Sequence, residues 1–286
     1  MGSKIVGIDI GATKIHIGLV QDSTVVRELK FSTTAGGSKE EIMSTLVQKI
    51  EEISEPGIEG IGIGVPGLVD SKKGIIYDLE NIPSWKEVHL KDYLEDHFQK
   101  PVKITNDANV FVMGEKIFGK GRPYENLVGI TLGSGFGTGI IIDHKLYSGA
   151  FSSAGELGNI PYRDKTIEEY CSGKFFRDIH GTTGNEVYNL ALKNDEGALK
   201  IFQEFGEHLG EALKLILYVL SPQAILLGGS VSNSFRFFEE PLVETVSSFP
   251  FKKVRDQLKI MHSNIPNISI LGSAALILSE EKSPKF

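Results

Sequence analysis

The sequence is poor in cysteine: Cys171 is the only one among 286 residues. A single thiol excludes an intramolecular disulfide framework and any zinc site built from several thiolates. Long apolar runs are missing too, because residues 215–220 form the most apolar stretch and Ser221-Pro222 ends it, far short of a bilayer span. No apolar leader precedes the strand-like segment that starts at Lys4. These absences predict a soluble protein of the reducing cytoplasm without a membrane partner.

Positive charge is also in short supply, with 30 lysine and arginine residues against 37 aspartate and glutamate residues and a net charge of -7. This balance argues against a nucleic-acid partner. It leaves a nucleotide site open, because such a site needs local hydrogen-bond donors and a metal ion rather than a positive surface. With 41% apolar and 23% charged residues, the chain has the composition of a globular protein with one large α/β domain or two lobes.

Apolar spacing predicts alternating strands and helices. In the first half we expect strands at residues 4–10, 15–20, 60–65 and 102–105 and helices at 39–53, 90–98 and 109–118. The second half is more helical, with a long amphipathic helix at 197–220, a strand at 224–227 and a last helix that opens at Gly272.

One pattern, V-G-I-x-[IL]-G, occurs twice, at residues 6–11 and 128–133. Each copy leads into a turn rich in glycine and threonine and then into further β-type residues. The repetition predicts two related lobes, each built on a strand–turn–strand core. The alternative is two unrelated buried hairpins, since glycine and isoleucine are common. We favour duplication because both turns carry side chains suited to phosphate.

A glycine turn between two strands can bind phosphate, because it points successive backbone N–H groups inward. Gly11-Ala12-Thr13-Lys14 adds a hydroxyl and an ammonium group, and Gly133-Ser134-Gly135 opens a second such turn. Asp9, at the end of the first strand, is placed to hold Mg²⁺ directly or through water. One such turn alone is more often structural. Two facing turns would form a clamp on the β- and γ-phosphates.

A competing motif, G-x-G-x-x-G, occupies residues 62–67. In a dinucleotide-binding fold the last glycine opens a helix. Here Gly67 leads into residues that predict a β-hairpin, which disfavours a dehydrogenase. The sequence has no G-x-x-x-x-G-K-[ST] motif, which excludes a P-loop kinase. Asp107 follows a predicted strand, and taken alone it is more often a helix cap than a base.

Six motifs in order resemble the ROK family of repressors and sugar kinases: GIDIGATK at 7–14, GVPG at 64–67, NDAN at 106–109, GSGFG at 133–137, GELG at 155–158 and LGGS at 227–230. The resemblance runs from Ile5 to about Leu278. It implies an actin-like, hexokinase-type α/β ATPase fold with an interlobe cleft. Residues 1–116 would form the first lobe, rejoined by 272–286, and residues 117–271 the second.

The resemblance implies a kinase that uses ATP and Mg²⁺ to phosphorylate the 6-hydroxyl of a hexose. Glucose is the first choice, ahead of an N-acetylhexosamine, allose or fructose, and a homodimer is expected. Asp107 would be the general base. The sugar would be bound by Gly67, Asn81, Asn106, Asp107, Glu156, Asn159 and Glu168. ATP and its phosphates would lie against Asp9, Gly11, Ala12, Thr13, Lys14, Thr131, Gly133, Ser134, Gly135, Gly228 and Gly229.

The sequence departs from the family at its structural zinc site. Many members hold zinc with a histidine after the E-L-G motif and three cysteines, but here the histidine position is Asn159 and Thr166 stands at the last cysteine position. We therefore expect no zinc, and a loop over residues 159–172 held by its own packing. Ile160, Pro161, Tyr162, Ile167 and Tyr170 are the candidates for that packing.

Two adjacent acids, Glu168 and Glu169, follow this loop. The resemblance makes Glu168 the sugar ligand and Glu169 an exposed neighbour. Without it, both would more simply form the solvated first turn of a helix.

Two other classes of function compete with the kinase. Repressors of the family carry a helix-turn-helix module ahead of the first strand, and here that strand begins by about residue 4, which disfavours a repressor. An inactive sugar-binding protein of the same fold is disfavoured because Asp9, Thr13, Asp107 and both glycine turns are present.

Overall fold

The computed structural model describes residues 3–11, 13–33, 36–79 and 81–278. The chain divides into two compact units. The first unit takes the chain up to Arg122, Lys145–Ala154 and the chain from Ile265 on, and the second unit takes Pro123–His144 and Gly155–Asn264. These boundaries differ from the predicted ones at residues 116 and 272. The first unit also contains Lys145–Ala154, a segment that we had placed in the second lobe.

In chain order the strands are β1 (Lys4–Ile10), β2 (Lys14–Gln21), β3 (Thr24–Ser32), β4 (Gly60–Val65), β5 (Leu68–Asp70), β6 (Ile75–Tyr77), β7 (Glu87–His89), β8 (Val102–Asn106), β9 (Leu127–Leu132), β10 (Phe136–Ile142), β11 (Lys145–Leu146), β12 (Pro161–Tyr162), β13 (Lys165–Thr166), β14 (Ala224–Gly228) and β15 (Lys259–His262). The helices are α1 (Lys39–Ile53), α2 (Leu90–Phe98), α3 (Asp107–Phe118), α4 (Ile167–Cys171), α5 (Gly184–Ala191), α6 (Glu196–Val219), α7 (Phe235–Ser247), α8 (Lys252–Gln257) and α9 (Ile268–Leu278). Short 3₁₀ or π turns lie at Ala150–Ser152, Leu157–Asn159, Phe175–Ile179 and Val231–Ser234.

The sheet of the first unit has the strand order β3–β2–β1–β4–β8. β1 is antiparallel to β2, with Gly7 opposite Gly18, and parallel to β4, with Gly7 opposite Gly62. Its isoleucines and valines are buried, and α1 packs on them through Ile42, Leu46 and Ile50. The strand predicted at residues 4–10 and the helical spacing in α1 are both confirmed.

The sheet of the second unit repeats this arrangement in the strands β10–β9–β14–β15. β9 is antiparallel to β10, with Gly129 opposite Gly139, and parallel to β14, which is parallel to β15. The two copies of V-G-I-x-[IL]-G thus lie in equivalent strands of two sheets with the same topology. The predicted duplication of a strand–turn–strand core is confirmed by this topology.

Glycines allow α9 to approach the first sheet closely. A Cβ atom on Gly7 or Gly62 would overlap a backbone oxygen of α9, and a Cβ on Gly272 would overlap the Val110 carbonyl of α3. The Ser273 hydroxyl donates a hydrogen bond of 2.8 Å to the Ile8 carbonyl. Gly272 therefore serves close packing inside the helix, and our expectation that it opens the helix was wrong, because α9 begins at Ile268.

Phenylalanine fills the core of the second unit. Phe202 and Phe205 of α6 are fully buried against Phe175, Phe176 and Phe238. The predicted spacing of apolar residues over 197–220 matches the buried face of this helix. Within the described part of the chain, no helix combines the length and the apolar character needed to cross a membrane.

Candidate functional site

Asp107 is the first residue of α3, at the carboxyl end of β8. The helix cap is Asn106, whose side-chain oxygen accepts a 2.9 Å hydrogen bond from the Ala108 N–H. Asp107 is therefore not the cap, and its side chain is exposed to solvent. Protein atoms nevertheless crowd the carboxylate, and this loss of hydration raises the pKa of Asp107, against the opposing effect of the Ala108 N–H.

Asp9 lies at the end of β1, where the buried strand meets the first glycine turn. Burial raises the pKa of Asp9 to about 6, and the negative charge of Asp107 adds to this effect. The Ser269 hydroxyl of α9 donates to the Asp9 carboxylate and acts in the opposite direction. Two carboxylates therefore lie close enough to repel each other, which is the kind of oxygen donor set that Mg²⁺ prefers.

The first glycine turn is closed by backbone hydrogen bonds. The Gly11 N–H donates to the Lys14 carbonyl over 2.9 Å, and the Thr33 hydroxyl donates to the Gly11 carbonyl over 2.9 Å. The Thr13 and Lys14 side chains are exposed, as a phosphate-binding role requires. Ala12, predicted as part of this site, lies outside the described residues.

The motif G-x-G-x-x-G does not start a helix. Gly67 has a left-handed backbone with φ of 82°, and β5 follows it directly. The expected hairpin of β5 and β6 is confirmed, and a dinucleotide-binding turn is excluded at this position. The Gly67 carbonyl accepts a 3.3 Å hydrogen bond from the Asn106 amide, which brings two of the predicted sugar-side residues together.

Asn81, a third predicted sugar ligand, is exposed in the following loop. The loop is anchored by Trp85, whose side chain is fully buried in the core of the first unit. The buried indole therefore fixes the loop that carries Asn81 to the core of the first unit.

The second glycine turn lies in the second unit. The Gly133 N–H donates to the Gly135 carbonyl over 3.1 Å, and the Gly133 carbonyl accepts a 2.7 Å hydrogen bond from the Gly173 N–H. Thr131 of β9 is opposite Gly228 of β14. Gly229 is left-handed, with φ of 83°, and a Cβ there would overlap the Leu132 carbonyl. The four predicted residues Thr131, Gly133, Gly228 and Gly229 are thus neighbours.

A cavity of about 600 Å³ opens beside this turn within the second unit. Gly133 and Ser134 line one part of it, and Tyr188, Asn185 and Asn233 line another. The sequence reasoning missed the last three. Their nearest signal is the capping box T-x-x-E that starts α5 at Thr183, which marks a helix end but not a ligand.

Glu156 lies just before the loop over residues 159–172, next to its first residue, Asn159. The Asn159 amide donates a 3.1 Å hydrogen bond to Glu156, and both side chains are exposed. Glu169, expected as an exposed neighbour of Glu168, instead caps α4: its carboxylate accepts a 3.1 Å hydrogen bond from the Thr166 N–H and is half-buried. That expectation was wrong because the helix end needs an acceptor at this position.

Glu168 lies against the second glycine turn. One carboxylate oxygen accepts a 3.0 Å hydrogen bond from the Phe136 N–H, and the other accepts a 2.5 Å hydrogen bond from the Lys174 ammonium group. The sequence reasoning missed Lys174, which lies six residues after Glu168 in the chain.

Aromatic packing holds the loop over residues 159–172. The rings of Tyr162 and Tyr170 are 5.4 Å apart, and the Tyr162 hydroxyl is 3.0 Å from Nδ1 of the buried His208. Burial, assisted by the positive charge of Arg163, lowers the pKa of His208, so its neutral ring can accept a hydrogen bond from the Tyr162 hydroxyl. Ile160 is exposed and contributes little, unlike our expectation.

Cys171 is fully buried in the core of the second unit. Burial raises the pKa of its thiol. Among the residues that the structure describes, no group of three or more histidine, cysteine or acidic side chains is arranged to hold a metal ion.

Comparisons with known proteins find that the chain is similar to glucokinases and to xylose repressors. A sequence model described as the ROK family matches residues 5–280. The glucokinase of Thermotoga maritima is 28% identical over 308 residues, which cover 96% of this chain and 97% of that protein. The xylose repressor of Bacillus subtilis is 27% identical over 297 residues, which cover 96% of this chain and 76% of the repressor. A solved structure of a ROK family glucokinase from Streptomyces griseus, in complex with glucose and AMPPNP, has a TM-score of 0.80 at 27% identity and covers 96% of this chain and 99% of its own.

Proposed function

Because the chain belongs to the ROK family, we propose that it is an ATP-dependent kinase that phosphorylates the 6-hydroxyl of a hexose, with glucose as the first candidate. Its fold is the mixed α/β, hexokinase-type, actin-like ATPase fold. The relatives support a phosphotransferase. The observation that carries the proposal is the exposed Asp107 carboxylate at the start of α3. Asn106, and not Asp107, caps the helix, and the pKa of Asp107 is raised.

Asp107 would act as the general base. As the 6-hydroxyl oxygen forms its bond to the γ-phosphorus, Asp107 would accept the hydroxyl proton, and the bond to the β–γ bridging oxygen would break to release ADP. A carboxylate with a raised pKa is a better proton acceptor than an ordinary one. Positioning and charge neutralisation supply most of the acceleration in phosphoryl transfer, so the base is one contributor among several.

Asp9 would hold Mg²⁺, directly or through water. The site fits the ion because its donors are carboxylate oxygens and because a nearby cation would relieve the repulsion between Asp9 and Asp107. When bound, Mg²⁺ would neutralise phosphate charge. A zinc requirement is not proposed, since Asn159 is a poor zinc ligand and one cysteine cannot supply three thiolates.

The second unit would bind the nucleotide. The cavity beside Gly133 and Ser134 has a volume within the range of small-molecule sites. The phosphates would lie against the N–H groups of the glycine turn. The adenine ring would lie toward Tyr188 and Asn185, which offer an aromatic ring and an amide.

Specificity for the sugar would come from Glu156, Asn159 and Glu168. When a sugar that lacks the matching hydroxyl binds, the charged acceptor is desolvated without gaining a hydrogen bond. That sugar therefore binds with a less favourable free energy. Asn159 can both donate and accept, so it could also meet a 2-acetamido group, which makes an N-acetylhexosamine the second candidate. Allose and fructose are further alternatives.

The test is ADP release measured with a panel of aldohexoses, ketohexoses and N-acetylhexosamines, followed by Asp107→Asn with the best sugar. We expect kcat to fall at least about a hundredfold while the KM for ATP changes little. Asp92→Asn, at the exposed first turn of α2, is the matched control and should leave turnover unchanged.

Near-normal turnover in Asp107→Asn would remove the assigned base. No ADP release with any sugar, together with measurable sugar binding, would instead favour a non-catalytic sugar-binding protein, a class to which the repressor relative draws attention.

A further inference from the structure

The Glu168 carboxylate is in contact with the backbone that the proposed function assigns to phosphate. Its Oε2 atom accepts the Phe136 N–H at 3.0 Å, and a Cβ on Gly135 would lie 2.6 Å from the same oxygen. Gly135 belongs to the second glycine turn, and Phe136 is the first residue of β10, which follows it. The carboxylate therefore lies directly beside the turn.

This position creates an electrostatic conflict. A turn that binds phosphate relies on the partial positive charge of its N–H groups, and here an anionic side chain already accepts from one of them. A polyphosphate at the same turn would also be repelled by the carboxylate, because like charges a few ångströms apart interact by more than thermal energy near a protein surface. Without compensation, Glu168 would weaken nucleotide binding.

Lys174 supplies a positive charge at this place. Its Nζ atom donates to Oε1 of Glu168 over 2.5 Å, with 36% and 28% of the two side chains exposed. The preceding residues fix the lysine to the turn, since the Gly173 N–H donates to the Gly133 carbonyl and the Ser172 hydroxyl donates to the Ser134 carbonyl over 3.4 Å. The cation is thus anchored beside the same turn as the carboxylate.

We propose that Lys174 is a charge-compensating positioning residue: its positive charge offsets that of the Glu168 carboxylate, so that the second glycine turn can bind a polyphosphate while the carboxylate can still accept a hydrogen bond from a sugar hydroxyl. This inference rests on the proposed function, because it needs a nucleotide at the second turn. An ionised carboxylate has about four acceptor positions, so the bonds from Phe136 and Lys174 leave room for a hydroxyl donor.

A natural control lies on the same loop. Lys165 and Glu169 form a second lysine–glutamate pair, with N and O 3.7 Å apart and 34% and 31% of the side chains exposed. Glu169 caps α4 through Thr166 and is bonded to that helix end rather than to the glycine turn. The two pairs therefore match in charge and exposure and differ in their contact with the turn.

The experiment measures the dissociation constant of Mg²⁺·AMPPNP for the full chain by calorimetry, with and without sugar. Lys174→Met removes the charge and keeps the stem, and it should weaken binding about tenfold. Lys174→Arg should stay within about twofold of the unmodified chain, as should Lys165→Met.

The decisive variant is the double substitution Glu168→Gln with Lys174→Met. If compensation is the role of Lys174, removing the carboxylate as well should restore AMPPNP affinity to within about threefold of the unmodified chain. Sugar binding should remain weak, because the amide that replaces the Glu168 carboxylate carries no charge. Unfolding midpoints measured in parallel establish that each variant is folded.

Two results would overturn the inference: unchanged affinity in Lys174→Met, or equally weak affinity in Lys174→Met and the double variant. Normal sugar phosphorylation combined with either result would reject the role of Lys174 and leave the kinase standing. The expected affinity pattern without any phosphoryl transfer would reject the kinase and leave the role of Lys174 standing. A chain that binds no AMPPNP would overturn both.

Discussion

The two units repeat one backbone pattern and differ in charge at its turn. Asp9 of β1 and Thr131 of β9 occupy the same place in the repeated motif, one residue from the last strand residue. In the first unit Asp9 lies close enough to Asp107 for its charge to raise the Asp9 pKa. In the second unit the carboxylate at the turn, Glu168, is paired with Lys174. The duplicated topology fixes where a turn occurs, and single side chains set the charge beside it.

The two sheets also differ in the residue opposite the second position of the repeated motif. Opposite Gly7, the parallel strand of the first unit has Gly62, and α9 packs backbone to backbone there. Opposite Gly129, the parallel strand of the second unit has Leu226, whose side chain is buried. The glycine pair that admits α9 in the first sheet is therefore not repeated at the corresponding pair of the second sheet.

The largest effect is expected from Gly62→Ala. A Cβ at this position would overlap the Ser273 carbonyl, so we expect the free energy of unfolding to fall by at least about 3 kcal/mol. Gly60→Ala, where the nearest atoms would be 3.0 to 3.1 Å away, should cost less. Gly36→Ala, with nothing within 4 Å, should change stability by less than about 0.5 kcal/mol. Urea denaturation checks the order, and equal effects at all three positions would contradict the close packing of α9.

The next effect concerns the fourth position of the repeated motif. Asp9→Asn should lower kcat at least about a hundredfold and raise the Mg²⁺ concentration needed for activity, because a neutral amide is a weaker ligand for a hard cation. Thr131→Val, the same position in the second unit, should lower kcat less than about tenfold. Steady-state kinetics at several Mg²⁺ concentrations measure both, and similar losses from the two substitutions would show that the units are not specialised in this way.

Asp9→Asn should lower activity but raise stability at high pH. The pKa of Asp9 in the folded protein is about 6, above the ordinary value of 3.8. Its protonated form therefore stabilises the fold below about pH 4, and that contribution is lost as the pH rises through 6. At pH 8, Asp9→Asn should raise the free energy of unfolding by roughly 1–3 kcal/mol, and the difference should disappear near pH 4. Urea titrations at the two pH values test this, with Asp92→Asn as a control that shows no such gain.

The smallest effect is expected in the loop of the second unit. Tyr162→Phe keeps the ring contacts and removes the hydrogen bond to His208, which should cost about 1 kcal/mol of stability. The KM for sugar should rise several-fold, since the loop connects Asn159 with Glu168, while the KM for ATP should not change. Tyr147→Phe, at a side chain that is 52% exposed, is the control. A larger change in the ATP KM than in the sugar KM would contradict this role of the loop.

Much of the fold followed from local sequence. The period of apolar residues gave α1 and α2 with correct bounds, and the repeated motif predicted the duplication of β1–β2 in β9–β10. The start of α9 was missed because Gly272 was taken as a helix boundary, whereas its role is a close approach to Val110 more than a hundred positions away in the chain. Such a contact has no signal in the local sequence.

The site followed the same rule. Glycine turns and the strand-end aspartates could be found because their spacing is local, and their roles in catalysis and binding stay predictions. Ser269 beside Asp9 and Lys174 beside Glu168 depend on which elements meet in the fold. Glu169 was misassigned although Thr166 and Glu169 form the pattern T-x-x-E, a capping box that the sequence itself displays.

The insertion of α9 into the first unit has a consequence for biosynthesis. The hydrogen bond from Ser273 to Ile8 joins residues 265 positions apart, so the first unit cannot close its core until the ribosome has made the chain beyond Ile268. The segments of the second unit end at Asn264 and are complete earlier. Synthesis would therefore leave the glycine row of β1 and β4 uncovered while the second unit folds. The first part of the chain to be made is therefore expected to be the last to reach its native state.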